Sequence, residues 1–533
     1  MKKANLVTTA AVCLAAIVFS SQLVSSEAAH AANPIVMKAA RHDVSASLRS
    51  MASSKTAMAT APREMPEPRP TRAPFRSATP DAVARQFAGA LQSVTTGLSF
   101  EGQSAQDTFN AIGTAYVPPD TNGAPGLTQY VQIVNVTIGI YDKGTGELLM
   151  TPAAIHTIWT GFGGPCELAG DGGDPVVLFD HLANRWLVTQ LQYDSTGNEQ
   201  CVAVSTTADA TGTYNRYEYD YGAVNFPDYP KYGVWPDAYY NTANIFAGKG
   251  FAGAEACAFD RKSMLAGTAA SAICFQQPSS VSSLLPSDLD GKRLPPAGSP
   301  NYLVGLADST HLNLFKFHVD FANPAKSTFT GSLISVAAFS EICARATTLA
   351  CIPEPNPGEK VDGLADRVMF RLAYRNFGDH ETLVANHTVA GGALGGVRWY
   401  EIRNPASAIR VYQEGTIVDP TVDYWLGSVA MDKVGNLSAG FSASGKELAP
   451  SIYAAGRAPQ DALGTLSGPL VLAGGLGVQT RSYRRWGDYS SMAIDPTDDC
   501  TFWYTNEYYP VAGNFSFAWS TRIASFKFDS CKH

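Results

Sequence analysis

Four short segments of the chain place a carboxylate beside glycine, proline or an aromatic residue. They are residues 118–123, 170–175, 226–231 and 486–489. Carboxylates accept hydrogen bonds from hydroxyl groups, aromatic rings stack on the apolar faces of sugars, and arginine pairs with an acidic substituent. Two carboxylates held about 5 to 10 Å apart can also hydrolyse a glycosidic bond. These residue types therefore favour a site for a glycan or another polar polymer.

A second group of polar residues near position 380 completes the candidate site. Asp488 and Asp379 are the candidate acid and base of a hydrolase or lyase, and Arg375 and Arg485 are the candidate substrate clamps. The remaining candidate binding residues are Asp120, Asn122, Asp174, Asp228, Lys231, His380, Trp425 and Tyr489. We expect all of these side chains to meet at the mouth of a central channel.

Oxygen-bearing side chains at short spacing also suggest a calcium site. Asp120, Asp171 and Asp174 offer the hard oxygen ligands that this cation prefers, although no twelve-residue calcium loop is present. For each aspartate the alternative is structural, because Asp before a turn accepts hydrogen bonds from backbone N–H groups. The sequence contains no phosphate-binding loop and no dinucleotide fingerprint, and it predicts no other cofactor.

A repeated hairpin indicates which elements must position these residues. An apolar run, an Asp, three turn residues and an Asn or Asp recur around Asp180, Asp432 and Asp495, each followed by a second apolar run. This pattern is typical of a strand, a tight turn and a returning strand. We expect the aspartates of these turns to be structural. Hairpins repeated at this spacing predict an all-β fold, the β-propeller.

The spacing of the apolar runs predicts seven blades between residue 98 and the end of the chain. Strands beginning near residues 176, 234, 304, 369, 429 and 492 are 58 to 70 residues apart. Residues 276–300, 340–365 and 456–485 read as long loops, and six blades with an insertion remain an alternative. The last blade lacks a fourth strand, so we expect residues 98–101 to supply it and to close the ring, which leaves no free sheet edge.

The N-terminal part of the chain differs in composition from the rest. Residues 1–31 carry two lysines, an apolar stretch and an Ala-His-Ala cleavage site, the pattern of a secretory signal peptide. Residues 32–97 are rich in Ala, Pro and Arg and predict a disordered lead or pro-segment. They contain nine basic and four acidic residues, whereas residues 98–533 contain 28 and 42, a net charge of −14. The acidic body argues against nucleic acid as a partner.

Cysteine usage agrees with export. Eight cysteines remain after the signal peptide, and an even count in an exported chain predicts disulfides. Pairing neighbours gives Cys166–Cys201, Cys257–Cys274, Cys343–Cys351 and Cys500–Cys531. No run of apolar residues is long enough to span a membrane. We therefore expect a secreted or periplasmic monomer.

Four motifs of the chain resemble those of a family of exported bacterial proteins of unassigned activity. They are PPDTNG, FPDYPK followed by GVWPD, RNFGDHE, and RWGDYSS followed by DDCTFWYTNE, which span about residues 110–530. A looser similarity is to sialidase-like β-propellers, because residues 428–436 resemble part of their Ser-x-Asp-x-Gly-x-x-Trp box. No complete box is present, and the catalytic arginines and the Tyr–Glu pair of sialidases have no matching positions here.

Three functions follow as hypotheses. The first is a protein that binds an extracellular or envelope glycan, or another polar polymer, at the channel mouth. The second is a polysaccharide hydrolase or lyase, such as a sialidase-like glycosidase, that uses the same residues. The third is a scaffold for protein–protein contacts, which needs no chemistry in the channel.

Overall fold

The computed structural model describes most of the chain. The described residues are 1, 33–52, 61–65, 68–70, 72–91, 93–168, 172–194, 197–248, 250–343, 350–480, 484–515 and 518–532. The predicted signal peptide therefore lies, apart from Met1, outside the described residues. Within the described residues, no helix is long and apolar enough to cross a bilayer.

The protein is almost all β, as predicted, and its long strands form antiparallel groups of four that follow the chain order. The groups are called sheets 1 to 7. Sheet 1 contains Asn122–Pro125, Gln129–Val134, Thr137–Asp142 and Leu148–Ala154. Sheet 2 contains Val176–Asp180, Arg185–Tyr193, Asn198–Ser205 and Tyr214–Asp220. Sheet 3 contains Asn225–Val234, Tyr239–Ala247, Gly250–Phe259 and Ser271–Gln276.

The remaining sheets repeat this order. Sheet 4 contains Leu285–Leu289, Asn301–Asp308, His311–His318 and Thr328–Ser335. Sheet 5 contains Met369–Asn376, Glu381–Ala390, Gly395–Arg403 and Arg410–Ile417. Sheet 6 contains Asp423–Met431, Leu437–Ser444, Ser451–Arg457 and Ser467–Ala473. Sheet 7 contains Ser491–Ile494, Phe502–Tyr508, Ser520–Phe528 and, from the N-terminal side, Val94–Ser104.

The first strand of each sheet contacts the first strand of the next sheet, and the first strands of sheets 7 and 1 also contact each other. In sheets 4 and 5 these strands pair directly in parallel, with Asp288 opposite Ala373. Elsewhere side chains join them: Ser491 Oγ donates to the Gly123 carbonyl at 2.8 Å. The first strands therefore begin on one face of the molecule, called here the upper face, and end on the lower face.

Strand Val94–Ser104 completes sheet 7. It pairs antiparallel with Ser520–Phe528, so that Phe100 lies opposite Ile523. The pairing predicted for residues 98–101 is therefore present. It covers the outer edge of the sheet, whose backbone N–H and C=O groups would otherwise be free to pair with another chain.

The expectation that residues 32–97 are disordered is wrong for much of this segment. Ile35–Lys38 and Arg41–Val44 add a fifth strand to the edges of sheets 3 and 2, and Ala84–Arg85 pairs with the edge of sheet 5. Few apolar side chains are needed for this, because backbone hydrogen bonds to an exposed sheet edge order a polar segment. Buried ion pairs add to it, as between Arg398 and Asp81 at 2.7 Å.

Two of the three predicted loops contain strands of the sheets. Residues 276–300 include the first strand of sheet 4, and residues 456–485 include the fourth strand of sheet 6. Both strands are short and contain proline or glycine. They were not predicted because these residues interrupt the alternation of apolar and polar positions that indicates a strand. The other short strands and the helices are Arg63–Glu64, Tyr116–Val117, Ala350–Ile352, Val361–Asp362, Gly477–Gln479, Gly513–Phe515, Leu48–Met51, Ala105–Ile112, Ile155–Trp159, Pro165–Leu168, Arg261–Ala266 and Pro324–Lys326.

The repeated aspartates hold hairpin turns, as the sequence predicts. Asp180 Oδ1 accepts from the backbone N–H groups of residues 182 and 183, each at 3.1 Å. Asp432 Oδ1 accepts from the N–H of Asn436 at 2.9 Å, and Asp495 Oδ1 accepts from that of Thr497 at 2.9 Å. A carboxylate at this position accepts hydrogen bonds from the backbone N–H groups of the turn, which the strand pairing does not use.

All four predicted disulfides are present. They join Cys166–Cys201, Cys257–Cys274, Cys343–Cys351 and Cys500–Cys531. Four disulfides fit a protein of an oxidising, extracellular compartment.

Candidate functional site

Charged side chains from several sheets converge at the upper face, where the first strands begin. Asp120 and Asp174 precede the first strands of sheets 1 and 2, Lys231 lies in that of sheet 3, and Arg485 and Asp488 precede that of sheet 7. All except the half-buried Asp174 are buried. These five predicted residues form what we call the charge cluster.

The backbone at the cluster is held in the left-handed region. The φ angles are 47° at Asp120, 46° at Asp174 and 55° at Tyr229. A non-glycine residue in this conformation costs on the order of 1 kcal/mol, so the surrounding structure must determine it. Asp120 and Asp174 turn the chain into the first strands of sheets 1 and 2, whereas Tyr229 lies at an irregularity within the first strand of sheet 3, between Asp228 and Lys231.

Asp120 is the most enclosed carboxylate of the cluster. Its Oδ2 accepts from Asn135 Nδ2 at 2.6 Å, and its Oδ1 accepts from the backbone N–H of Asp488 at 2.7 Å. Burial raises the pKa of Asp120 well above its ordinary value, and the charges of Asp488 and Asp174 raise it further. The protein therefore favours a proton on this carboxyl.

Asp174 lies between the acidic and the basic parts of the cluster. Its Oδ2 accepts from the Tyr489 hydroxyl at 3.4 Å, and its backbone N–H donates to Asn135 Oδ1 at 3.1 Å. Burial first, and the charge of Asp488 second, raise the pKa of Asp174 to about 6, although Lys231 opposes the shift. A carboxyl with this pKa exchanges its proton near neutral pH, which is the property required of a general acid or base.

Lys231 is buried between two tyrosine rings. Its ammonium lies 3.0 Å from the ring centre of Tyr229 and 3.3 Å from that of Tyr489, and it donates to the Pro230 carbonyl at 3.4 Å. The rings attract the cation through their π-electrons. Burial nevertheless lowers the pKa of Lys231 well below its ordinary value, against the attraction of Asp174 and Asp488. A lysine with a lowered pKa is suited to proton transfer.

Arg485 joins the cluster to the N-terminal part of the chain. Its Nη2 donates to both carboxylate oxygens of Asp488 at 3.1 and 3.2 Å, and its Nη1 donates to the Met65 carbonyl at 3.1 Å. Met65 is itself buried against Gly173. The backbone of residue 65 therefore lies directly on the charge cluster.

The segment that carries Met65 continues across the upper face. Arg63–Glu64 pairs in parallel with Tyr116–Val117 just before sheet 1. Further along, Arg69 forms an ion pair with Asp362, and Arg72 pairs with Glu341 at 2.5 Å, both in the connection between sheets 4 and 5. We call residues 63–65, 68–70 and 72 the crossing segment. It extends from the start of sheet 1 to the start of sheet 5 and passes over the charge cluster.

Three predicted site residues lie at the lower face and do not belong to the cluster. Arg375 ends the first strand of sheet 5 and donates to both carboxylate oxygens of Asp499, at 2.9 and 2.6 Å. Asp379 is exposed in the following turn and accepts from His380 at 2.8 Å. The prediction that they meet Asp488 is wrong, because a first strand that starts at the upper face carries its C-terminal residues to the lower face.

Trp425 is correctly placed near the upper face but has no exposed ring surface. It packs edge-to-face on Trp486 with 5.3 Å between ring centres, and its Nε1 donates to Ser444 Oγ at 3.2 Å. A fully buried indole cannot stack on a sugar, so its predicted binding role is wrong. Asn122 joins two sheets, because its Oδ1 accepts from the Val177 N–H at 3.0 Å. Asp228 is buried in the first strand of sheet 3, opposite Asn244.

The calcium hypothesis gains no support from the geometry. Asp171 lies outside the described residues, and both oxygens of Asp120 already accept hydrogen bonds. Among the described residues, the one group of three acidic, histidine or cysteine ligand atoms close enough for a metal ion is that of Glu255, Cys257 and Cys274. Its two sulfurs form a disulfide, which removes them as thiolate ligands.

Sequence reasoning missed three contributors to the site. Tyr229 lies inside the motif of residues 226–231. Its position two residues before Lys231 is the feature of the sequence that could have indicated its part in the site. Arg367 stacks on Tyr229, with 4.5 Å between its guanidinium carbon and the ring centre. Met65 sits in a segment without apolar periodicity, so nothing in the sequence pointed to it.

No family model matches the chain, and no curated protein of similar sequence was found. Among solved structures, the WD40 domain of SCAP from fission yeast matches with a TM-score of 0.32 and 9% identity, over 75% of this chain and 82% of that one. Phage phi92 endosialidase matches with 0.34 and 8%, over 78% and 67%. The Hadza microbial sialidase Hz136 matches with 0.31 and 12%, over 78% and 75%. At this level of similarity the likeness indicates neither substrate nor activity, and the resemblance to an exported bacterial family stays a prediction.

Proposed function

We propose that the chain is an exported, seven-bladed β-propeller that binds a glycan or another polar polymer at its upper channel mouth. In this interpretation the seven sheets are blades, and strand Val94–Ser104 closes the ring by pairing both ends of the propeller domain. The sequence of contacts between first strands, including that between sheets 7 and 1, supports the ring. The crossing segment belongs to a pro-segment or regulatory lead that covers the mouth.

The observation that carries the binding function is the composition of the charge cluster. Three carboxylates and two cations from different sheets lie together, with the pKa of Asp120 and Asp174 raised and that of Lys231 lowered. Ion pairs that serve only stability do not require carboxylates to lie close enough to repel each other. Shifted pKa values of this kind concentrate at functional sites. The cluster offers acceptors for hydroxyl groups through its carboxylates and a donor through Arg485.

Binding at the mouth requires displacement of the crossing segment. Arg485 Nη1 now donates to the Met65 carbonyl, which occupies the place of a ligand oxygen. The segment is held at the far side through Arg69 and Arg72, whose side chains pair with Asp362 and Glu341. Loss of these two ion pairs should free the segment while the pairing of residues 35–44 with sheets 2 and 3 stays in place.

A glycan array tests the proposal. The variant Arg69→Ala with Arg72→Ala should bind the same glycans as the wild type about tenfold more tightly, since two ion pairs no longer oppose opening. The matched control replaces two exposed arginines of the same N-terminal region, Arg49→Ala with Arg85→Ala, and should bind like the wild type. Addition of Lys231→Met to the loosened variant should abolish binding. An array without any binding by folded protein contradicts the proposal and supports the protein-interaction scaffold.

A second candidate function is hydrolysis or elimination on a polysaccharide. The pKa of Asp174 near 6, beside Asp488, favours it, because a general acid and a carboxylate partner are the minimum that such chemistry requires. Asp174 then takes the role predicted for Asp379. Release of reducing ends from a polysaccharide panel by the loosened variant, lost in Asp174→Asn, would establish it. Binding without release would leave the binding function alone.

A further inference from the structure

A groove of about 820 Å³ lies on the upper face, outside the charge cluster. Its walls come from the 340–343 segment, from the turn of residues 390–394 in sheet 5, and from residues 76–81 of the N-terminal region. Asp423, Lys360 and Lys446 also line it. The groove is therefore built jointly by sheets 5 and 6 and by the segment that runs past them.

Asp423 provides a buried carboxylate with an unused oxygen. Its side chain is 2% exposed, and its Oδ1 accepts from the Gly395 N–H at 2.6 Å. Its Oδ2 has no hydrogen-bond partner among the described residues. An unpaired buried carboxylate oxygen destabilises the fold, and a donor from a ligand would remove that penalty.

Two lysines supply positive charge to the same groove. Lys360 and Lys446 are both exposed, and within the described part of the chain neither ammonium forms an ion pair. The charge of Lys360 is close enough to act on Asp423. By contrast, two other acids that line the groove already have partners, since Glu341 pairs with Arg72 and Asp81 pairs with Arg398.

We propose that this groove is a second binding site, separate from the channel mouth, for an acidic oligosaccharide. A ring hydroxyl donates to Asp423 Oδ2, and the carboxylate or sulfate groups of the sugar pair with Lys360 and Lys446. The aliphatic side chains of Ile342 and Leu394 contact the C–H face of a ring. The groove volume of about 820 Å³ falls within the range of about 300–1,000 Å³ typical of ligand sites and accommodates a short oligosaccharide.

The chemistry of the walls selects this class. A neutral sugar satisfies Asp423 but leaves both lysines solvated, and a simple anion pairs with the lysines but brings no donor for Asp423. A uronic-acid oligomer supplies hydroxyl donors and carboxylates in alternation. The site needs neither the opening of the crossing segment nor Lys231, so its failure and that of the mouth proposal are separable.

Titration calorimetry of the full chain with trigalacturonate tests the site. We expect binding to the wild type, weakening of about tenfold in Lys360→Ala with Lys446→Ala, and a similar loss in Asp423→Asn. The charge-matched control, Lys262→Ala with Lys326→Ala, removes two exposed lysines elsewhere and should bind like the wild type.

Three results would overturn the proposal. They are no binding of trigalacturonate to folded wild-type protein, equal affinity in the double-lysine variant, and equal affinity for neutral maltotriose. Because Asp423→Asn keeps the size of the side chain, its loss of binding with an unchanged melting temperature supports the site. Unchanged affinity in that variant counts against the role of Asp423.

Discussion

Arg485 Nη1 donates a hydrogen bond of 3.1 Å to the main-chain carbonyl of Met65, a residue 420 positions earlier in the chain. The same guanidinium pairs with Asp488, so a single side chain connects the crossing segment to the charge cluster. The charge cluster is thus assembled from residues of several sheets and is contacted by a peptide that belongs to none of the seven sheets. In the proposed propeller, this N-terminal peptide determines whether a ligand can reach the cluster.

Replacement of Asp174 by asparagine should change how stability depends on pH. An unfolded Asp titrates near 3.9, whereas the pKa of Asp174 in the fold is about 6. The folded protein therefore holds a proton between these pH values that the unfolded chain has lost. The resulting stability is complete below about pH 4 and is lost as the pH rises through 6. Relative to the wild type, Asp174→Asn should gain about 2 kcal/mol between pH 4.5 and 7.5.

Urea denaturation of both proteins at the two pH values measures this gain. The control is Asp220→Asn, which removes an exposed carboxylate of the same sheet that lies outside the charge cluster. A difference between Asp174→Asn and the wild type that does not change with pH would show that Asp174 has an ordinary pKa in the fold.

Removal of the Lys231 ammonium should move the titration of Asp174 upward. Lys231 is among the charges that lower the pKa of Asp174, so Lys231→Met should raise that pKa above 6, by about one unit. The ¹³Cγ resonance of Asp174 in selectively labelled protein reports it directly. Lys262→Met, far from the cluster, serves as the control. If the resonance titrates at the same pH in both variants, the ammonium does not act on Asp174.

Loss of Arg69 and Arg72 should expose the crossing segment to protease. The two ion pairs are partly exposed, and each contributes on the order of 1 kcal/mol or less, so the melting temperature should change little. Cleavage N-terminal to residue 75 should become several-fold faster, because local opening controls it. Mass spectrometry of the fragments identifies the site. Equal cleavage rates in the wild type and the double variant would show that other contacts hold the segment.

Phe100 tests the contribution of the N-terminal strand to sheet 7. Its ring lies 5.3 Å from that of Tyr141, so it connects sheets 7 and 1. Because the side chain is half-buried, we expect Phe100→Ala to lower the free energy of unfolding by about 2 kcal/mol. Leu148→Ala, a substitution at a half-exposed position of sheet 1, should cost much less. A cost for Phe100→Ala no larger than this control would mean that the strand adds little to the closure.

Periodicity in the sequence was sufficient to predict an all-β chain and most of its strands. The recurring Asp turns located the hairpins, and the missing fourth strand of sheet 7 could be inferred from the position of Cys531. The first strand of sheet 4 was not predicted, because Pro286 and the polar residues after it interrupt an apolar run of only two leucines. Strand bounds near prolines depend on the neighbouring sheet more than on local preference.

The sequence predicted correctly those site residues that come just before the start of a first strand. Asp120, Asp174 and Asp488 precede such strands and do converge, whereas Arg375 ends one and lies at the opposite face. Sequence alone does not distinguish a Trp that faces the channel from one that packs into the core, as the case of Trp425 shows. Contacts made by the N-terminal segment, such as that of Met65, carry no local pattern and require the three-dimensional structure.

The pairing of Val94–Ser104 with Ser520–Phe528 also has a consequence for how the protein is made. Thr95 Oγ1 donates to Asp529 Oδ1 at 2.7 Å across 434 positions of sequence. Since synthesis proceeds from the N-terminus, strand 94–104 emerges hundreds of residues before its partner strand, Ser520–Phe528, is made. Contacts of such separation slow folding, and an unpaired strand meanwhile invites association with other chains. A chain that ends a few dozen residues early, before Ser520–Phe528, therefore leaves strand 94–104 without its partner and free to pair with another chain.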